Sequence, residues 1–195
     1  MTKGIVSGVV SNMVTLRVDG PVLQGEICYI TTGGDRLMAE VIKVVGSDVY
    51  VQVFESTRGL KVGSQAEFTG HQLEIQLGPG MLSKNYDGLQ NDLDKMDGVF
   101  LRRGQYTAPL DEDRLWDFEP IVKAGDRVQG SDWLGKVEEN HQPLKIMAPF
   151  QMEGTAVVKS IVPAGQYKVN DTIAVLTTEA GEDINVTMVQ HWPVK

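Results

Sequence analysis

The chain has 195 residues, with 18 Lys and Arg against 26 Asp and Glu, a formal net charge of −8. At 42% hydrophobic and 23% charged residues, it has the composition of a folded globular protein, not a disordered one. One cysteine excludes a disulfide framework or a cysteine-rich zinc site, and the acidic balance disfavours nucleic acid and anionic membranes as partners.

No apolar run approaches the roughly 20 residues that span a bilayer. The N-terminus, MTKGIVSGVVSNMV, alternates with glycines and lacks the continuous apolar stretch of a signal peptide. A cytoplasmic, mainly β protein is the expectation, since 21 glycines and 8 prolines imply many turns. Residues 1–70 and 71–110 each carry a balance of −1, and residues 111–195 carry −6. The break suggests two units, the second with a surface suited to a basic partner or simply kept soluble by its charge.

Six apolar segments of strand length lie within residues 3–77: 3–10, 13–18, 26–30, 36–45, 48–54 and 71–77. Val14, Leu16 and Val18 alternate with polar positions, as do Val49, Val51 and Val53, and Leu73, Ile75 and Leu77; this period of two is the mark of strands. Turn residues separate them, among them Ser11-Asn12, Asp19-Gly20-Pro21, Gly33-Gly34 and Gly46-Ser47. Six short strands predict a small closed barrel over 1–77, because closure removes exposed edges.

Residues 78–110 read as a connector. Gly78-Pro79-Gly80 stops the preceding strand. Leu89, Leu93, Met96 and Phe100 follow at spacings of four, three and four, which predicts one face of a short helix ended by Gly98. Asp92, Asp94 and Asp97 raise the question of calcium. An EF-hand loop counted from Asp92 would place Met96, Asp97 and Arg103 where an oxygen ligand, a glycine and a glutamate belong, so a solvated acidic face is the better reading.

Residues 111–188 contain a quasi-repeat: PIVKAGDRVQGSDWLGKVEE (120–139) is echoed by SIVPAGQYKVNDTIAVLTTE (160–179). The pattern resembles the biotinyl/lipoyl carrier fold, a flattened β-sandwich of two similar halves. Carriers of that type hold the modified lysine at the tip of the central hairpin. Here the expected tip, Glu138 to Pro143, has no lysine, and Lys136 and Lys145 fall on the flanking strands.

Site chemistry is sparse. His71, His141 and His191 lack metal-ligand spacing. Cys28, in the apolar run EICYI, reads as a buried small hydrophobe, and no nucleophile-elbow pattern occurs. The nearest approach to a phosphate loop, GDRVQGSD (125–132), has Ser131-Asp132 where Lys and Ser/Thr belong. Catalytic, cofactor-binding and metal residues are therefore all expected to be absent.

The stretches FESTRGLKVG (54–63), FTG (68–70) and LEIQLGPGMLSKNYDGLQ (73–90) resemble the catalytic A subunit (alpha chain) of V-type, or vacuolar/archaeal-type, rotary ATPases and ATP synthases. The resemblance continues through Trp116, Phe118 and Pro120, then LGKVEE (134–139), KIMAPF (145–150) and HWPVK (191–195). It covers the chain in order, and the block after Trp116 matches an insertion, the bulge, that separates this branch from F-type relatives. The extension NDLDKMDGVFLRRG suggests a bacterial variant.

The resemblance implies an N-terminal portion of a larger subunit. The barrel would join a crown that ties A and B subunits into a hexamer, and the bulge would meet the peripheral stalk, with Glu138 and Glu139 as contact candidates. Gly78, Pro79, Gly80, Asp87 and Gly88 become hinge candidates. Leu89, Leu93, Met96 and Phe100 become candidates for a face that packs on the nucleotide-binding domain, and 189–195 would begin the segment leading there. ATP and Mg would belong to the full-length parent, an ion-translocating ATPase on the membrane-peripheral sector. An independent biotinyl/lipoyl-like carrier, a free-standing assembly or regulatory protein and a nucleic-acid-binding barrel are the competing readings.

Overall fold

A computed structural model describes residues 2–96 and 103–194. Two units emerge: Met1–Ile75 with Met96–Tyr106 and Pro193–Lys195, and Gln76–Lys95 with Thr107–Trp192. The stretch read as a connector is thus divided between them.

The first unit is built on β1 (Lys3–Val10), β2 (Met13–Val18), β3 (Glu26–Thr32), β4 (Asp35–Val45), β5 (Asp48–Val53) and β6 (Gln65–Gln72). These close into an antiparallel barrel in the order β1-β2-β5-β4-β3-β6. Alternation in sequence becomes alternation in space: Val6 opposes Leu16, Val14 opposes Val51 and Ile30 opposes Leu37. All six side chains are buried, and each such burial is worth about 1.5–3 kcal/mol.

The sixth strand differs from expectation. The barrel is closed by Gln65–Gln72, through Ala66 opposite Gly4 and Phe68 opposite Cys28. Leu73 to Leu77, the more regular alternation, lies outside the barrel, where β7 (Glu74–Leu77) forms a two-stranded sheet with β16 (Gln190–Pro193). Only Ala66 and Phe68 of β6 are buried, so its apolar signal is two residues long. Phe68 supplies in bulk what the strand lacks in count, and Gly4 leaves it room: a β-carbon at Gly4 would come within 3.2 Å of the Phe68 ring.

The second unit contains β8 (Leu115–Pro120), β9 (Arg127–Gln129), β10 (Trp133–Glu139), β11 (Gln142–Met147), β12 (Thr155–Ile161), β13 (Gly165–Lys168), β14 (Ala174–Thr178) and β15 (Asp183–Val186). They form two four-stranded sheets, β11-β10-β8-β13 and β15-β14-β12-β9. The quasi-repeat explains this order. Each half contributes a leading strand, a short strand and a long strand, and the short strands are exchanged: β9 pairs with β12 and β13 pairs with β8. Corresponding loops use the same device. Asp132 Oδ2 accepts the amide of Gln129 at 2.7 Å, and Asp171 Oδ2 accepts that of Lys168 at 2.8 Å.

Candidate functional site

Two clusters of buried hydrogen-bonding side chains in the second unit hold the Gly78–Gly80 and 87–92 loops. At the first, Gly78-Pro79-Gly80 is held against the sandwich. The Oε1 of Glu139 accepts the amide of Gly80 at 2.9 Å and that of Leu82 at 3.0 Å. Gly80 takes a φ of +104°, a conformation that favours glycine. A β-carbon at Gly78 would approach Leu110 Cδ1 and Met188 O, each at 3.1 Å. Pro79 is buried.

This corrects the pairing of Glu138 with Glu139. The alternation of β10 turns Glu139 inward with Val137, leaving it 3% exposed, so it is a structural carboxylate and not a surface contact. Glu138 faces outward and lies 3.4 Å from His141 Nδ1. The hairpin tip is Asn140-His141, whose φ values of 49° and 62° fit the two-residue turn favoured between twisted strands. Lys136 and Lys145 are mid-strand partners. Lys136 pairs with Glu119 at 2.9 Å and Lys145 Nζ stands 3.8 Å from the Trp133 ring centroid, so neither occupies a carrier position.

The second cluster is DGLQND (87–92). Asp87 Oδ1 accepts the amides of Leu89 at 2.9 Å and Asn91 at 2.8 Å, while Oδ2 accepts the Asn91 side chain at 2.9 Å. Gln90 pairs through both ends of its amide with the backbone of Gln76, each bond 2.7 Å. Asn91 Oδ1 accepts the amide of Thr107 at 3.0 Å. Asp92, 1% exposed, faces Lys84 at 3.3 Å and Lys95 at 3.7 Å, so its charge is balanced by ammonium groups. Gly88 is exposed, with open space around it.

The short helix expected after Leu89 is replaced by this irregular loop and a single turn of 3-10 helix, Leu93–Lys95. Side-chain amides and carboxylates satisfy the backbone locally, which competes with helix formation. Leu89 is half-buried, Leu93 is exposed and Met96 is half-buried. Phe100, Asp97 and Gly98 lie outside the described residues.

Arg103–Tyr106 returns to the barrel unit. Arg103 Nε lies 3.2 Å from Asp35, Gly104 donates its amide to Glu55 at 3.2 Å, and the Tyr106 hydroxyl accepts the amide of Met38 at 2.8 Å. Glu26, buried, accepts the amides of Leu23 and Gly70 at 2.9 and 2.7 Å. Gln90, Asn91 and Glu26 were not singled out from sequence. Buried hydrogen-bonding side chains in turns carry no periodicity to find them by.

Cys28 and the loop 125–132 are engaged structurally. Burial, aided by the charge of Glu26, pushes the Cys28 thiol up to about 12, which keeps it from being a thiolate nucleophile. Residues 125–132 do not fit a nucleotide phosphate, because Asp126 Oδ2 and Asp132 Oδ2 take the backbone amides of Lys123 and Gln129 for themselves. Among the described residues, no group of three His, Cys, Asp or Glu is arranged to hold a metal ion, and no helix is long and apolar enough to cross a membrane.

Comparison with known proteins places these units. Residues 6–70 match the beta-barrel domain of the ATP synthase alpha/beta family, and residues 107–195 match the ATP synthase alpha/beta subunit barrel-sandwich domain. The chain is 44% identical over its full length to a V-type ATP synthase alpha chain of Borreliella afzelii, and 45% identical to that of Treponema denticola. The alpha chain of Borrelia hermsii is 45% identical over 99% of the chain. The chain spans 34%, 33% and 34% of these relatives, about a third of their length. Carrying both domains in that order and similar throughout to bacterial V-type alpha chains, it belongs to the ATP synthase alpha/beta family.

Proposed function

We propose that the chain is the non-catalytic scaffold of a V-type ATP synthase A subunit. The observation that carries this reading is the similarity to V-type alpha chains along the whole chain, across both domains. The barrel joins the crown that holds A and B subunits in a hexamer. The sandwich projects toward the peripheral stalk. ATP and Mg bind elsewhere in the parent subunit, which couples ATP hydrolysis or synthesis to proton or sodium transport from the cytoplasmic, membrane-peripheral sector.

Two features support the division of labour. Ile42 and Val44 on the outer side of β4 are 37% and 39% exposed, apolar surface of the kind that serves a neighbour. On the sandwich, Asp117, Glu119 and Glu138 border an open groove of about 640 Å³ together with Lys136, which pairs with Glu119, and the remaining negative charge would meet a basic stalk surface.

The test is assembly. In the full-length subunit, Ile42→Asp with Val44→Asp is expected to reduce hexamers seen by native mass spectrometry and to lower ATP turnover in proportion. Undiminished hexamers would overturn the crown role. A free-standing regulator lacks a specific observation in its favour.

A further inference from the structure

Two Asp-Gly dipeptides stand among the described residues, Asp19-Gly20 and Asp87-Gly88, and their carboxylates have opposite surroundings. An Asp-Gly pair is open to cyclisation, because glycine has no side chain to screen its amide nitrogen from the carboxyl of the preceding residue. Hydrogen bonds that favour the ionised carboxylate oppose that reaction.

Asp87 is held. Its Oδ1 accepts the amides of Leu89 and Asn91 at 2.9 and 2.8 Å, and its Oδ2 accepts the Asn91 side chain at 2.9 Å. Ring closure would remove the charge and one of these oxygens, so all three bonds resist it. Asp19 is free. It follows the last residue of β2 and is exposed. It shares a groove of about 350 Å³ with Lys3 and Arg17, but Lys3 pairs with Glu67 at 3.9 Å and Arg17 with Asp48 at 3.3 Å. Among the described residues, no hydrogen bond or ion pair reaches the Asp19 carboxylate.

We propose that Asp19-Gly20 is a site of spontaneous isoaspartate formation, a property independent of the scaffold reading. The Gly20 amide nitrogen attacks the carboxyl carbon of protonated Asp19. A C–N bond forms, a C–O bond breaks, and the hydroxyl leaves as water with the amide proton. Water then adds to the succinimide at the former backbone carbonyl and breaks its C–N bond, so Gly20 stays joined through the side-chain carbon. Water is the only co-reactant. The chain becomes one methylene longer between two tethers: the Val18 amide donates to Ser47 O at 2.9 Å, and Thr2 Oγ1 donates to Pro21 O at 2.8 Å. The freed α-carboxylate is the group that an isoaspartyl methyltransferase esterifies from a sulfonium methyl donor.

The experiment ages the full chain at about pH 5, where part of an exposed carboxyl is protonated. The protein is then labelled with isoaspartyl methyltransferase and a radioactive methyl donor, and the label is mapped by peptide. Label at position 19 is expected to exceed that at 87 by more than about tenfold, given the hydrogen bonds lost at Asp87. No label at 19, or as much at 87, overturns the proposal. Asp19→Glu, whose added methylene disfavours the ring, is expected to abolish label in that peptide; persistent label overturns the assignment. In chain aged in urea, the difference between 19 and 87 is expected to disappear. A preference that survives unfolding would put its cause in local sequence and overturn the structural argument.

Discussion

Glu139 Oε1 receives the amide of Gly80 at 2.9 Å across 59 residues of sequence, while its neighbour Glu138 points into solvent. Two adjacent carboxylates thus have opposite roles, and substitution separates them. Glu139→Ala leaves the amides of Gly80 and Leu82 without their acceptor and is expected to cost about 3 kcal/mol. Glu138→Ala is expected to fall within about 0.5 kcal/mol of the parent. Urea unfolding of both variants is the check, and equal midpoints would contradict the assignment.

Gly135 and Gly88 form a second contrast. A β-carbon at Gly135 would come within 2.3 Å of the Phe118 ring and 2.9 Å of Glu119 O. Gly135→Ala is expected to destabilise by about 1–3 kcal/mol or more, because ring and strand must both shift. Gly88 has nothing within 4 Å, so Gly88→Ala is expected to be neutral or to stabilise by up to about 1 kcal/mol. Thermal melts read the sign directly.

Gln90 acts as a substitute strand for Gln76, closing two hydrogen bonds at 2.7 Å. Gln90→Ala removes both and is expected to cost about 1–3 kcal/mol. Gln90→Gly relieves the positive φ of 61° yet loses the same bonds, so it should not recover stability. If it does, backbone strain outweighs the amide pairing. Hydrogen exchange at the Gln76 amide reports the local loss.

The barrel carries an alkaline dependence. Cys28 has a folded value of about 12 against an ordinary 9.0, raised first by burial and then by Glu26. The folded state holds the proton more tightly, so this contribution is complete below about pH 9 and is lost as pH rises toward 12. Cys28→Ala is expected to flatten that fall, leaving the part due to Tyr29 and Tyr106, whose phenols burial also raises. The native thiol should resist Ellman's reagent at pH 8 and react once urea unfolds the chain.

Where alternation was strong, the barrel was legible: Val14, Leu16, Val49 and Val51 point inward as their spacing requires. The sixth strand was misplaced because Leu73-Ile75-Leu77 alternates more regularly than Ala66-Phe68, and regularity says nothing about which strand can reach β1. The spacing of Leu89, Leu93 and Met96 mimicked a helix, but Asp87, Gln90 and Asn91 supply the backbone's partners from side chains instead. Glu139 could have been recognised as inward by its position two residues after Val137. Its partners could not, since Gly80 is remote in sequence. The repeat at 120 and 160 foretold the sandwich, though not that its halves trade short strands.

The first unit is assembled from three separated stretches of chain, and Tyr106 supplies the acceptor for the Met38 amide from the second of them. Neither unit can therefore be excised as one uninterrupted piece of gene. A cut after residue 77 would leave Met38, Asp35 and Glu55 facing water where Tyr106, Arg103 and Gly104 had been. Recombination that swapped one unit between relatives would need several coordinated crossovers to preserve both.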